Sequence, residues 1–298
     1  MGNTLTVAIA NYNHGHFLER CITAVMTQEK VPDEIIIYDD CSTDNSLEII
    51  HGIQTRWPQI RLIQGQRNVG VIAVINSLAQ IASGDWLHLL AADDTVLPGF
   101  YRLAIQAAQK HPNSGAIFGS FIGVEEETGE RWMESADRWI DAGFCAPEEM
   151  LWKLFHKAPA MFGLGFTYIW RRQAFLEEEG FIPELKMYDE LIFRNVTLRY
   201  GAVYLGTAPL SCVRSSFETY SGNARKNKEM YAAVLDKAAQ LMRTKYADIY
   251  PERFVRHWQK KYREELGFTP MSKVRWLKLA IAWSLRKIGQ WITRWLGR

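Results

Sequence analysis

Hydrophobic residues in the first hundred positions follow two alternating patterns. Short runs rich in β-branched residues predict strands at residues 5–10, 34–38, 60–64 and 86–90. Between these runs, apolar residues recur at helical spacing and predict helices near residues 17–27, 46–56 and 71–82. Strands that alternate with helices in this way are typical of a parallel sheet joined by crossover helices.

The pattern is less regular after Pro98. It predicts a helix at 100–110, strands at 116–124, 166–170 and 203–205, a helix from residue 171 and another at 189–199. Residues 125–150 are mixed in character and are expected to carry a loop, whereas from residue 227 the pattern is helical throughout. We therefore expect an α/β domain, a mixed Rossmann-like sheet flanked by helices, with a helical C-terminal extension.

The composition is that of a folded domain with a substantial core. Of the 298 residues, 48% are hydrophobic, and 35 Lys and Arg against 33 Asp and Glu give a formal net charge of +2. This balance excludes a disordered chain and argues against a nucleic-acid partner. The sequence has no apolar run of roughly 20 residues and no secretion signal. Its four cysteines are widely separated, so we expect a cytoplasmic protein.

Basic residues are concentrated at the C-terminal end. Residues 273–298 contain seven Lys or Arg and no Asp or Glu. Apolar side chains recur there at helical spacing, with tryptophans beside them, which is typical of a helix in a membrane interface. We therefore predict that residues 271–298 bind the anionic inner face of the cell membrane, through Trp276, Lys278, Trp283, Arg286, Lys287, Trp291, Arg294 and Trp295. The alternative is a helix that packs on the rest of the protein.

Polar residues follow each of the first four predicted strands. They are Asn11-Tyr12-Asn13, Asp39-Asp40, Arg67-Asn68 and Asp93-Asp94. Because a parallel sheet binds ligands beyond the carboxyl ends of its strands, these residues predict a cleft for a hydroxyl-rich ligand and a divalent cation. There is neither a P-loop nor a GxGxxG motif, so a phosphate group would be held through a metal. Taken singly, each Asp could instead be a turn or cap residue.

These motifs together resemble glycosyltransferase family 2. The matching stretches are VAIANYN at 7–13, IYDDCSTD at 37–44, RNVG at 67–70, ASGDW at 82–86 and AADD at 91–94. The resemblance is strong over about the first 105 residues and continues more faintly to residue 221. It implies a GT-A fold, a nucleotide-diphospho-sugar donor with a UDP-sugar favoured, Mg²⁺ or Mn²⁺, and inversion at the anomeric carbon.

The resemblance also implies a division of the chain. Residues 1–222 form the GT-A domain, with a nucleotide-sugar-binding half at 1–105 and an acceptor half at 106–222. Beyond the resemblance, the residue pattern predicts a helical extension at 223–270 and the membrane-interface helix at 271–298. The acceptor is expected to be a glycan, lipid-linked and used in surface polysaccharide synthesis.

Donor-binding roles are carried over from the family residue by residue. Asp40, with Asp39, matches the acidic pair that contacts the nucleotide base, and Asn11 and Tyr12 match the loop that packs on the nucleotide. The same set of donor-binding positions includes Arg67, Asn68, Asn76, Asp93 and Arg214.

The implied metal ligands depart from the family motif. Asp93, with Asp94 beside it, matches the metal-binding part of the DxD motif, whose first position is Ala91 here. One carboxylate with diphosphate oxygens and water can still complete a six-oxygen shell. The alternative is that Asp93 and Asp94 cap the helix that begins near Pro98.

An inverting transfer needs a base that removes the proton of the acceptor hydroxyl. Asp189 matches the family's catalytic carboxylate, but its spacing to Arg194 is one residue shorter than usual, so Glu190 remains an alternative. Both could instead form a solvated first helical turn. Two other functions stay open: a degenerate transferase that acts as a membrane-associated scaffold, and a sugar nucleotidyltransferase, which the loop after the first strand disfavours.

Overall fold

A computed structural model describes residues 3–125, 127–137, 140–156, 167–185, 190–215 and 228–265. Its strands are β1 (Leu5–Asn11), β2 (Glu34–Asp39), β3 (Arg61–Gln64), β4 (Trp86–Ala91), β5 (Thr95–Val96), β6 (Ala116–Glu125), β7 (Arg131–Glu134), β8 (Gly143–Cys145), β9 (Ile169–Arg171) and β10 (Ala202–Ser215). Its helices are α1 (Gly15–Met26), α2 (Ser46–Arg56), α3 (Val71–Ile81), α4 (Phe100–Lys110), α5 (Pro147–His156), α6 (Arg172–Glu177), α7 (Glu190–Tyr200), α8 (Lys228–Thr244) and α9 (Glu252–Glu265).

The strands form one mixed sheet. Its order is β3-β2-β1-β4-β9-β6-β10-β5, with β7 paired to β6 and β8 paired to β10. The first four strands are parallel, since β1 pairs with both β2 and β4 and β2 pairs with β3. The predicted parallel sheet with crossover helices is confirmed.

Alternation of side chains along β1 builds a core on each face of the sheet. Val7 and Ile9 pack into the cluster that contains α1, α2 and α4, whereas Ala8 faces the cluster that contains α3 and α6 to α9. Successive strand residues point to opposite faces, and both faces of this sheet are covered. This explains why its central strands are almost continuously apolar.

A hydrogen-bonded carboxylate joins the amino ends of the central strands. Glu34 accepts bonds from Thr6 Oγ1 at 2.7 Å and from Ser83 N and Oγ at 2.8 and 3.0 Å. Burial raises the pKa of Glu34, but these bonds and the nearby Arg61 outweigh it and hold that pKa below its ordinary value.

The strands after residue 105 belong to the same sheet. Strand β9 is antiparallel to both β4 and β6, so β4 and β6 run in the same direction. Strand β10 is parallel to β6 and antiparallel to β5, and its register to β6 shifts between Tyr204 and Ser211. As a result, β1, β4, β6 and β10 end at the same edge of the sheet.

Several elements differ from the sequence prediction. The mixed segment at 125–150 contains β7, β8 and the start of α5, and the short strand expected at 203–205 is the beginning of the 14-residue β10. The predicted helical extension appears as α8 and α9. In the part of the chain that the structure describes, no helix is long and apolar enough to cross a membrane.

Candidate functional site

The end of β1 is held to the end of β2 by side chains. Asn11 Nδ2 donates to Asp39 Oδ2 at 2.7 Å, and the same carboxylate accepts from Ser42 N at 2.9 Å and Ser42 Oγ at 2.6 Å. Asn11 and Asp39 are 2% and 1% exposed. Because a carboxylate only accepts hydrogen bonds, this contact fixes the orientation of the Asn11 amide.

Asp40 connects β2 to the start of α3. Its Oδ1 accepts from Val69 N at 2.9 Å and its Oδ2 accepts from Gly70 N at 2.8 Å. Gly70 immediately precedes α3, so the buried carboxylate also lies at the positive end of that helix. Asp40 therefore has a structural role that sequence reasoning missed.

Two loops beside these residues are bonded to each other. Asn13 Oδ1 accepts from Thr43 N at 2.7 Å, and Gly15 N donates to Asp44 Oδ2 at 3.0 Å. The backbones of Asn13 and Cys41 adopt positive φ angles of 55° and 64°, a conformation that Asn tolerates better than Cys does. The loops after β1 and β2 are thus joined to each other by hydrogen bonds.

Asp93 and Asp94 lie in a tight turn directly after β4. Asp94 N donates to Ala91 O at 3.1 Å, and Arg20 Nη2 on α1 donates to Asp93 O at 3.0 Å. The two carboxylates are 8% and 3% exposed. Burial raises the pKa of the nearby Cys21 thiol, and Asp94 and Asp93 raise it further, because negative charges disfavour a thiolate.

The two carboxylates of this turn are compatible with a metal ion that is also bound by substrate phosphates. Among the described residues, no group of three or more His, Cys, Asp or Glu side chains is placed to hold a metal ion. Mg²⁺ at phosphate-binding sites is typically held by one or two carboxylates together with substrate phosphates. Asp93 and Asp94 match that chemistry, with Ala91 leaving no third carboxylate.

The other predicted donor-binding residues have different surroundings. Tyr12 is 44% exposed, and Arg67 and Asn68 are exposed beside β3. Asn76 lies on α3, where its amide donates to Phe181 O at 2.8 Å and accepts from Phe181 N at 2.9 Å. Both ends of the Asn76 amide are therefore used to attach α3 to the loop after α6.

Helix α7, which begins directly after the predicted base in the sequence, starts at the same edge of the sheet. Helix α7 precedes the parallel strand β10 and packs along β6, where Gly115 contacts Val196 and Tyr200. It therefore runs opposite to these strands, and its first residue, Glu190, lies near their carboxyl ends. Asp189 and the side chain of Glu190 are outside the described part of the structure.

Arg214 also lies on this edge. Its backbone in β10 is paired with Val124, and Cys212, two residues earlier, is paired with Thr95. Extension of that antiparallel register would bring residue 214 opposite Asp93. The Arg214 side chain and residues 271–298, where the sequence predicts a membrane-interface helix with Trp276 to Trp295, lie outside the described residues.

Three strand ends therefore converge at one edge of the sheet. They bring together Asn11, Asp39, Asp40, Asp93 and Asp94, with the start of α7 on the same side. Sequence reasoning missed the roles of Ser42, Arg20 and the amides of 69–70. Arg20 and the two amides reach the site through tertiary contacts that leave no local pattern, whereas Ser42 bonds Asp39 from only three residues away.

Comparison with known proteins identifies the arrangement. The sequence profile described as Glycosyl transferase family 2 matches residues 6–172. The structure of S. aureus TarS in complex with UDP-GlcNAc has a TM-score of 0.68 at 15% identity, over 89% of this chain and 73% of that one. The mannosyltransferase PcManGT from Pyrobaculum calidifontis, in complex with GDP-Man and Mn²⁺, has a TM-score of 0.57 at 14% identity, over 97% and 83% of the two chains. The expected GT-A fold is confirmed.

Curated relatives include bacterial glycosyltransferases. The uncharacterized glycosyltransferase YibD of Escherichia coli is 27% identical over 84% of this chain and 75% of its own length. The succinoglycan biosynthesis protein ExoO of Rhizobium meliloti is 35% identical over 35% of this chain. The chain spans 29% of ExoO and 14% of the Pasteurella multocida chondroitin synthase, to which it is 27% identical.

Proposed function

The chain belongs to glycosyltransferase family 2, and from that premise we propose that it is an inverting enzyme that transfers a sugar from a nucleotide-diphospho-sugar to a glycan acceptor. The observation that carries this proposal is the convergence of buried Asn and Asp side chains at the ends of β1, β2 and β4. A UDP-sugar is the favoured donor, supported by the likeness of the fold to TarS with UDP-GlcNAc.

The nucleotide would bind against the hydrogen-bonded loops after β1 and β2. The Asp40 carboxylate has about four acceptor positions, and two are taken by the amides of Val69 and Gly70. The remaining positions can accept an N–H of the base, while Asn11 stays fixed by Asp39 and Tyr12 offers an exposed ring. Arg67, Asn68 and Arg214 are proposed to contact the ribose and diphosphate.

Asp93 and Asp94 are proposed to hold Mg²⁺ or Mn²⁺ together with the diphosphate. The ion's contribution is to offset the negative charge of the leaving diphosphate. Arg20 holds the Asp93 carbonyl and so keeps the two carboxylates in the turn that faces the donor.

We assign the base to Asp189, with Glu190 as the alternative, because α7 begins at the site edge. The acceptor hydroxyl oxygen forms a bond to the anomeric carbon, the bond from that carbon to the diphosphate breaks, and the hydroxyl proton passes to the carboxylate. Asp189→Asn should abolish transfer while UDP binding is retained. Unchanged turnover in that variant, with loss in Glu190→Gln, would move the role to Glu190.

Calorimetry with nucleotides tests the donor site directly. UDP titrated into the protein with Mn²⁺ should give saturable heat, and GDP should give less. The Asp93→Asn variant should lose the part of the UDP affinity that depends on Mn²⁺. If no nucleotide gives heat at millimolar concentration, the transferase proposal fails and a membrane-associated scaffold is favoured, consistent with Ala91 in the DxD motif.

We further propose that the acceptor is lipid-linked and serves surface polysaccharide synthesis at the inner face of the cell membrane. Support comes from the succinoglycan biosynthesis protein ExoO and the chondroitin synthase among the relatives, and from the basic, tryptophan-rich residues 271–298. Each cation near an anionic bilayer contributes about 1 kcal/mol, so seven can hold the protein peripherally.

Co-sedimentation with vesicles tests this localisation. The full chain should pellet with phosphatidylglycerol vesicles and much less with phosphatidylcholine vesicles, whereas a chain without residues 272–298 should stay in the supernatant. Equal pelleting of the two chains would refute the membrane role of this segment.

A further inference from the structure

An exposed tryptophan lies at the carboxyl end of β6. Trp132 on β7 is 38% exposed, although tryptophan is usually among the most buried residues. It is paired with Gly123, and a Cβ on Gly123 would clash with the indole atoms Cε2, Cζ2 and Cδ2. The indole is thus packed on bare backbone on one side and reaches solvent elsewhere.

The strand pairing locates Trp132 relative to the donor site. Gly123 pairs with Trp132 on one side and with Val213 of β10 on the other. Strand β10 in turn pairs with β5, which directly follows Asp93 and Asp94. Paired strands are about 4.8 Å apart. The path from β7 through β6 and β10 to β5 crosses three such spacings, so Trp132 lies roughly 14 Å from that turn. A diphosphate, the donor sugar and one further sugar ring span a comparable length.

The surroundings of the indole match a sugar ring. A pyranose has an apolar C–H face, which packs on aromatic rings, and a polar rim of hydroxyl groups. Glu130, two residues before Trp132, is exposed and can bond to such a rim.

We propose that Trp132 is a stacking platform for a pyranose ring of the acceptor glycan, and that Gly123 is glycine to allow it. The inference rests on the proposed function and adds to it a residue that selects the acceptor. Its loss should weaken acceptor binding without changing nucleotide binding.

Saturation-transfer NMR on the full chain provides the test, with methyl β-D-glucopyranoside and its 2-acetamido analogue as probes and with UDP and Mg²⁺ present. The protons H1, H3 and H5 lie on one face of the ring, and H2 and H4 lie on the other. If the first face stacks on the indole, H1, H3 and H5 should receive more saturation than H2 and H4. Trp132→Ala should weaken glycoside binding roughly two- to tenfold, and Trp132→Phe should weaken it less.

Met133→Ala is the matched control. Met133 is 52% exposed on the same strand, but consecutive strand residues point to opposite faces, so its loss should leave glycoside binding unchanged. The shift in melting temperature caused by UDP should be the same in all variants. The platform is refuted if Trp132→Ala binds the glycosides as tightly as the wild type does, or if Met133→Ala weakens glycoside binding as much as Trp132→Ala does. It is also refuted if the wild type binds neither glycoside. Failure of UDP to stabilise the wild type would refute the donor proposal separately.

Discussion

Replacement of Asp40 by Asn should destabilise the protein as well as weaken nucleotide binding. Both oxygens of Asp40 accept backbone N–H groups, at 2.9 Å from Val69 and 2.8 Å from Gly70. An Asn side chain has one oxygen, so its NH₂ group must face one of these N–H donors. Val69 and Gly70 are only partly buried, so a donor left without its partner costs about 1 kcal/mol, the low end of the range for buried groups. Removal of a negative charge from the start of α3 adds about 0.3–1 kcal/mol.

The expected total is a loss of roughly 1–2 kcal/mol in unfolding free energy, from the same two effects. For a chain of this length, that corresponds to a fall in melting temperature of about 2–4 °C. Differential scanning calorimetry measures this fall without any ligand, and urea denaturation gives the free energy independently.

Asp33→Asn is a suitable control. The Asp33 carboxylate accepts a single backbone N–H, from Leu5 at 2.8 Å, and its other oxygen forms an exposed ion pair with Lys30. An Asn can keep the backbone bond, so the melting temperature should change by little. A melting temperature of Asp40→Asn equal to that of the wild type would show that Asp40 does not organise α3, and the reasoning from the two amides would be wrong.

Three further outcomes are expected. The pKa of Glu34 is lower in the folded protein than in the unfolded chain, so the ionised carboxylate stabilises the fold at neutral pH, and this effect is lost as the pH falls below 4.5. The difference in unfolding free energy in urea between wild type and Glu34→Gln should therefore become smaller in acid. A difference that does not change with pH would contradict this. Iodoacetamide at neutral pH should label the half-buried Cys41 before Cys145, since burial raises the pKa of the Cys145 thiol to about 12. UDP with Mg²⁺ should slow labelling of Cys41, and mass spectrometry that finds no protection would argue against a nucleotide beside it. Asn76→Ala should lower the unfolding free energy by roughly 1–3 kcal/mol, because it removes both bonds to Phe181, and should leave UDP affinity within twofold; a selective loss of UDP affinity would instead support its predicted donor role.

Local patterns predicted the first half of the fold well. Strands β1, β2 and β4 are apolar on both faces. A helix follows β1 and β2 directly and follows β4 after the short β5, so the order of these elements can be read from the sequence. The two-residue β5 has too few positions for any period. The length of β10 was underestimated because its register shift between Tyr204 and Ser211 interrupts the alternation.

The site was predictable only as far as strand ends can be recognised. Asn11, Asp40 and Asp93 each follow a strand, which places them on one edge by topology alone. The partners that orient them could not be inferred, since Arg20 reaches Asp93 across 73 positions and Gly70 reaches Asp40 across 30. Such contacts depend on helix packing, which no short window of sequence encodes.

The interleaved strand pairing constrains how this enzyme can be recombined with its relatives. Strand β4 from the first half is paired with β9 from the second, and β5 is paired with β10. A chimera joined near residue 105 would therefore exchange one partner of each pair and create two new strand contacts inside the sheet. Crossover points that carry both members of a pair together are the ones expected to yield folded hybrids with a new donor or acceptor preference.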